Sequence, residues 1–95
     1  MYKYSLVDNK KVFTFVPKLD TVTCTNKENE MLHLLTGDNN NVIFDMTGVE
    51  YISSYFLRIC TVIAKHIGNS KLKIINATPN VKKVFKIAGF DKILE

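Results

Sequence analysis

The chain has 95 residues, of which 46% are hydrophobic and 23% are charged, and its formal net charge is +4. This length allows one domain with a modest core, and the composition excludes a disordered chain. A domain this short has little room for a deep substrate cleft, which favours a binding module. Every lysine or arginine except Arg58 is a lysine, whereas proteins that read nucleic acid favour arginine, so we expect no nucleic-acid partner.

The first segment predicts a β-hairpin. Residues 2–6 alternate apolar and polar side chains, which is typical of a half-buried strand. Residues 8–10 then give a turn signal, and the apolar residues of 12–16 form a second strand. Pro17 ends that strand because proline cannot donate a hydrogen bond to a β-ladder.

A helix is predicted over residues 20–35. Thr25 and Glu28 have the spacing of a capping box, so the regular part of the helix could begin as late as residue 26. Gly37 is placed to end the helix in a left-handed conformation. Residues 38–41, which are Asp-Asn-Asn-Asn, form a polar loop.

The middle of the chain predicts a strand and a second helix. The run of apolar residues at 42–44 suits a central strand that is covered on both faces. Asp45 follows it, and we expect its carboxylate to accept structural hydrogen bonds from the next loop. Ser53 or Ser54 caps the second helix, which runs to about Ile67.

The last third predicts one more strand and helix. Residues 71–75 alternate in the pattern of a strand. Thr78 followed by Pro79 is a strong helix start, and Gly89 ends this helix. Residues 93–94 form either a short final strand or a packed tail.

The predicted element order is β-β-α-β-α-β-α within one domain over residues 1–95. Strands that alternate with helices indicate an α/β fold with a mixed, largely parallel sheet and helices packed on it. Cys24 and Cys60 lack metal or redox spacing and predict buried, reduced thiols in the cytoplasm. No phosphate loop, nucleophile elbow or zinc signature occurs, so we predict no enzyme, no metal and no cofactor.

Three segments carry a resemblance to a known family. Lys18-Leu19-Asp20 is similar to a Gly-x-Leu-Asp signature before the first helix. Residues 44–58, Phe-Asp-Met-Thr-Gly-Val-Glu-Tyr-Ile-Ser-Ser-Tyr-Phe-Leu-Arg, are similar to Asp-Leu-Ser-x-Val-x-Tyr-Ile-[Asp/Ser]-Ser-[Ser/Ala]-Gly-Leu-Arg. Residues 78–93 resemble the last helix and tail of the same family. The chain therefore resembles, over nearly its whole length, STAS domains of the anti-sigma-factor antagonist type.

This resemblance implies a role in partner switching. Such an antagonist binds a kinase-like anti-sigma factor and frees a sigma factor, and phosphorylation of a serine at the start of the second helix turns binding off. A helix N-terminus tolerates the phosphate, while the added negative charge disrupts an apolar contact. The implied protein is a cytoplasmic regulator of transcription, a monomer or weak homodimer, with a protein partner and no membrane insertion.

The chain departs from the family pattern at the switch. When Ile52 and Leu57 anchor the alignment, Tyr55 falls on the phosphoacceptor position and Phe56 on the glycine. A phenol stands further from the backbone than a seryl hydroxyl, so a serine kinase should not reach it in the same geometry. We therefore predict a domain that binds its partner without this switch, with Ser54 as the backup phosphoacceptor.

The predicted docking surface is the junction between the middle strand and its helix, filled by two aromatic rings. Its partner-binding candidates are Asp20, Thr47, Ser53, Ser54, Tyr55, Phe56 and Arg58. Simpler roles stay open: Asp20 and one of the two serines cap helices, and of the two rings Phe56 faces the core and Tyr55 the surface.

Two other functions stay open from the sequence. Within the same family, the chain could be an accessory subunit of a membrane ABC transporter for lipids. A small nucleotide-binding domain would need convergent polar groups in a pocket, which the sequence does not show. The lysines of residues 71–86 form either a solvent-exposed surface with no binding role or a basic patch that binds an acidic partner.

Overall fold

A computed structural model describes residues 1–35 and 40–95, apart from the side chain of Asn69. Gly37, which was predicted to end the first helix, and Asp38-Asn39 of the predicted polar loop lie outside the described residues. The strands are β1 (Tyr2–Val7), β2 (Lys10–Phe15), β3 (Lys18–Leu19), β4 (Val42–Asp45), β5 (Tyr51–Ile52) and β6 (Leu72–Ile75). The α-helices are α1 (Thr21–Cys24), α2 (Glu28–Leu34), α3 (Ser54–Ile67) and α4 (Pro79–Ile87), and short 3₁₀ turns cover Asn69–Lys71 and Asp91–Ile93.

Four strands form the main sheet in the order β1-β2-β4-β6. The hairpin β1–β2 is antiparallel, whereas β2–β4 and β4–β6 are parallel. Asp8 and Asn9 turn the hairpin with φ angles of 50° and 63°, the left-handed conformation that a two-residue hairpin turn requires. The predicted mixed, largely parallel sheet with packed helices is confirmed.

The core lies on one face of this sheet. Phe13, Phe44 and Ile74 on three neighbouring strands are fully buried there, together with Phe56 of α3 and Phe85 of α4. Apolar burial of this kind is the main favourable term in folding. The helices therefore cover one face of the sheet.

Two predictions about the strands are wrong. The central strand β4 is not covered on both faces, because Val42 and Phe44 are buried while Ile43 and Asp45 are half-buried. β1 is not half-buried either, since all of its residues except Tyr2 are exposed. The first error arose because the helices lie on a single face of the sheet, and the second because β1 is the edge strand.

The predicted first helix is two helices. Asn26 has a φ of 62° and breaks the chain between α1 and α2, a conformation that asparagine adopts more readily than most residues. Thr25 ends α1, and its hydroxyl donates to the carbonyl of Thr21 at 2.6 Å. The capping-box interpretation of Thr25 and Glu28 is therefore wrong.

The other helix ends follow the sequence. Thr78 caps α4 by accepting from the Val81 N–H at 3.3 Å. Gly89, with a φ of 88°, follows α4, and the N–H of Phe90 donates to the carbonyl of Phe85 at 2.9 Å. This pattern is a glycine-centred C-cap. Leu94 then makes one bridge to Ile74 of β6, so the tail adds a single parallel pairing and no full strand.

Candidate protein-binding site

The candidate site is the junction where β3 and β5 end and α1 and α3 begin. The two short strands pair in parallel, with Leu19 opposite Ile52. The N–H of Ser53 donates to the carbonyl of Leu19 at 2.9 Å and extends this pairing by one step. Because both strands run in the same direction, α1 and α3 begin beside each other at one end of the pair.

Asp20 caps α1 at this junction. Its Oδ1 accepts from the N–H of Thr23 at 2.8 Å, and its side chain is exposed. Hydrogen bonds from the backbone and side chain of Thr23 lower the pKa of Asp20, because they favour the charged form. Asp20 therefore caps a helix, as its simpler interpretation predicted, and also presents a negative charge to solvent.

Ser53 caps α3 and is closed to solvent. Its Oγ accepts from the N–H of Phe56 at 3.3 Å, and its side chain is only 5% exposed. Ser54, the first residue of α3, is exposed. The predicted cap is confirmed and assigned to Ser53. Its inclusion among the contact residues is corrected, because a buried capping hydroxyl offers little surface to a partner.

The hydroxyl of Tyr55 is held by two groups of the α1–α2 break. It accepts from the N–H of Asn26 at 3.1 Å and donates to the carboxylate of Glu28, whose oxygens lie 3.2 and 3.3 Å away. The guanidinium carbon of Arg58 lies 5.8 Å from the centre of the Tyr55 ring, within the range of a cation–π contact. The half-buried Tyr55 therefore ties α3 to the break, while Arg58 remains exposed.

Phe56 lies in the core and not on the docking surface. Its side chain is fully buried, and its ring centre lies 5.2, 6.2 and 6.4 Å from those of three core phenylalanines, Phe15, Phe44 and Phe85. The prediction that it faces the core is confirmed. The prediction that two rings fill a docking surface is wrong, because only Tyr55 reaches the surface.

Asp45 organises the loop after β4. Its Oδ1 accepts from the Thr47 N–H at 3.0 Å, the Thr47 hydroxyl at 2.7 Å and the Asn76 amide at 3.1 Å. Burial raises the pKa of Asp45, but the three hydrogen bonds more than offset this, so its pKa lies below the usual value. The structural role expected for Asp45 is present, and Thr47 is exposed at this loop.

Two exposed apolar residues at the junction were not among the candidates selected from the sequence. Val22, in the first turn of α1, is 86% exposed, and Tyr51 of β5 is 52% exposed. Tyr51 also borders a groove of about 160 Å³ between β5 and α4. Within α1 only Cys24 is buried, and the prediction of one long helix over residues 20–35 did not single out Val22 as exposed.

Cys24 lies behind the junction. It is fully buried, and burial raises the pKa of its thiol, as does the charge of Asp20, while a hydrogen bond with Ser53 acts in the opposite direction. Burial also raises the pKa of Cys60 well above its usual value. Both thiols are free and buried in the structure, as the sequence predicted.

Over residues 1–35 and 40–95, no three histidine, cysteine or acidic side chains come together in a way that could hold a metal ion. Within the same ranges, none of the helices is both long enough and apolar enough to cross a bilayer.

The sequence matches the model of the STAS domain over residues 4–95. The chain belongs to the STAS domain family. Among solved structures, this STAS domain is similar to an anti-sigma-factor antagonist domain protein from Planctomyces limnophilus, with a TM-score of 0.85 and 17% identity over 98% of this chain and 86% of that one. No curated protein is significantly similar in sequence.

Two further solved structures show the same fold. Unphosphorylated SpoIIAA, an anti-sigma factor antagonist, has a TM-score of 0.84 and 14% identity over 100% of this chain and 86% of its own. A putative anti-sigma factor antagonist from Thermotoga maritima has a TM-score of 0.80 and 21% identity over 99% of this chain and 83% of its own. At these identities the likeness establishes the STAS fold.

Proposed function

We propose that this STAS domain is a non-catalytic, cytoplasmic protein-binding module of the anti-sigma-factor antagonist kind, and that serine phosphorylation at the usual place does not switch it off. The partner is a kinase-like anti-sigma factor, and the contact surface is the junction of α1 and α3. The fold shared with proteins named as antagonists supports this role. So does the mixture of exposed charge and exposed apolar surface at the junction.

The observation that carries the proposal is the fixed hydroxyl of Tyr55. A kinase needs a free hydroxyl that it can align with the transferred phosphoryl group. Phosphorylation of Tyr55 would break its hydrogen bond to the Glu28 carboxylate and place nearly two negative charges beside that carboxylate. The residue at the phosphoacceptor position therefore acts as a structural tie between α3 and the α1–α2 break.

The serines at the start of α3 leave one accessible hydroxyl. Ser53 is buried and occupied as the helix cap, whereas Ser54 is exposed. The test is incubation with the cognate anti-sigma kinase and ATP, read by intact mass. We expect no stoichiometric phosphate on the wild-type chain. A full phosphate on residues 53 to 55 would refute the missing switch, and its loss in Ser54→Ala would assign it to the backup residue.

Binding itself is tested with the purified anti-sigma factor by isothermal titration. Val22→Lys replaces an 86% exposed apolar residue at the junction, and we expect it to weaken binding by about tenfold, the effect of losing a central apolar contact. Ile87→Lys on α4 is the matched control, since Ile87 is 78% exposed and is also a β-branched apolar residue replaced by lysine. Equal effects of the two variants, or none from either, would remove the junction as the contact surface.

Affinity capture from a native lysate identifies the partner independently. Recovery of a kinase-like anti-sigma factor supports the proposal, while recovery of a transporter ATPase subunit would favour the ABC-transporter alternative. Tyr55→Phe is the appropriate companion variant, because it removes only the hydroxyl. Phe56→Ala is unsuitable for this purpose, since it removes a core ring and would test folding instead of contact.

A further inference from the structure

Among the described residues, β1 lies at the outer edge of the main sheet and pairs only with β2. Met1 and Val16 are joined by a backbone hydrogen bond of 3.0 Å, and hydrogen-bonded pairs alternate along an antiparallel ladder. In the register of β1 and β2, the backbone groups of Tyr2, Tyr4 and Leu6 therefore point away from β2. These three residues present N–H and C=O groups along the free edge.

The side chains of this edge are apolar and uncovered. Tyr4 is 36%, Leu6 57% and Val7 49% exposed, so the described chain leaves β1 largely uncovered from Tyr4 onward, whereas the Tyr2 hydroxyl donates to Glu30 of α2 at 2.7 Å. Natural proteins protect exposed edges with charges, proline or short strands. β1 has six residues and no proline, and Lys3 is its one charged residue. Such an edge is a template for pairing with another strand.

The opposite edge of the same sheet is partly covered by the tail. Leu94 bridges Ile74 of β6, and the N–H of Glu95 donates to the carbonyl of Ile74 at 2.8 Å. Pairing through β1 alone gives a closed two-fold dimer, since a fibre would need two open edges. We propose that a second copy of this chain occupies the β1 edge and forms one continuous sheet with it.

The charge distribution is compatible with this geometry. Residues 58–95 have a net charge of +6, and residues 1–57 have a net charge of −2. Lys71 and Lys73 lie at or beside β6, at the edge opposite β1. Pairing through β1 separates the two β6 strands by seven strand spacings, about 33 Å. This exceeds the Debye length of about 8 Å in physiological salt, so the basic edges do not oppose association.

The free backbone groups define the register. A two-fold axis at Tyr4 places Tyr4 opposite Tyr4 of the second copy and Leu6 opposite its Tyr2, which forms about six backbone hydrogen bonds. Lys3 then faces Ser5 of the second copy, so no like charges meet. A six-residue edge about 20 Å long buries less than the roughly 800 Å² per partner of stable interfaces, so the dimer is weak and reversible.

Sedimentation velocity over a concentration series from about 10 µM to 1 mM tests the dimer. The wild-type chain is expected to shift from monomer to dimer across this range. Leu6→Lys should weaken association by at least about tenfold, while Ile87→Lys, which also replaces an exposed branched apolar residue by lysine but lies on α4, should leave it unchanged. A wild-type chain that stays monomeric, or equal effects of the two variants, would overturn the proposal.

Disulfide cross-linking tests the register. Tyr4→Cys places two thiols across the axis with Cα atoms about 5.5 Å apart, inside the range of a disulfide, so mild oxidation should give a covalent dimer. Leu6→Cys places them several residues apart and should cross-link no faster than Val22→Cys. Faster cross-linking of Leu6→Cys than of Tyr4→Cys would contradict this register. These outcomes do not depend on the anti-sigma partner.

Discussion

Replacement of Phe56 by alanine separates the core function of this residue from its expected place on a docking surface. The ring is fully buried and lies within 6.4 Å, centre to centre, of three other phenylalanine rings. Truncation of such a residue costs about 3–5 kcal/mol, because apolar contact is lost and the surroundings collapse only partly into the cavity. A domain of this size has roughly 5–15 kcal/mol of stability in total.

The measurement is urea unfolding followed by circular dichroism. We expect the midpoint to fall while the slope m stays the same, and the melting temperature to fall by at least about 12 °C. Tyr51→Ala is the matched control, since it removes an aromatic ring that is 52% exposed, and it should cost about 1 kcal/mol or less. A loss below about 1 kcal/mol for Phe56→Ala would refute the core assignment.

Four smaller changes test the junction and its neighbouring loop by equilibrium unfolding. Ser53→Ala should cost about 1 kcal/mol by removing the cap of α3, whereas Ser54→Ala, at an exposed position, should be nearly neutral. Asn26→Val should cost about 1–2 kcal/mol because a β-branched residue resists a positive φ, and an unchanged stability would show that the break can relax. The lowered pKa of Asp45 contributes stability above about pH 4 that is lost as the pH falls through its folded value. Asp45→Asn should flatten this acid dependence, and an unchanged slope would contradict it.

The order of the longer elements could be predicted from local signals, whereas the two-residue strands β3 and β5 were not predicted. Thr78-Pro79 and Gly89 mark helix ends through their own chemistry, and the structure has helix boundaries at these positions. Hydroxyl caps and glycines act within a few residues of the chain. Such signals do not depend on tertiary packing, so one sequence is enough to interpret them.

The errors occurred where local signals were ambiguous or tertiary structure decided. Thr25 and Glu28 fit a capping box by spacing, but the same threonine hydroxyl can also bond back to a carbonyl four residues earlier, as it does with Thr21. The coverage of β4 depended on which sheet face received the helices. The apolar run at 42–44 is compatible with a strand covered on one face or on both, since periodicity alone does not show how many faces of a sheet are covered by helices.

The two adjacent rings show why the site was only partly predictable. Neighbouring residues at a helix start point about 100° apart, so the sequence could predict that Tyr55 and Phe56 separate. It could not predict that the left-handed turn at Asn26 would bring a backbone N–H and the Glu28 carboxylate to the Tyr55 hydroxyl. That contact spans nearly 30 residues and depends on the unpredicted division of the first helix. The structural tie at Tyr55 therefore arises from one turn that the sequence pattern did not reveal.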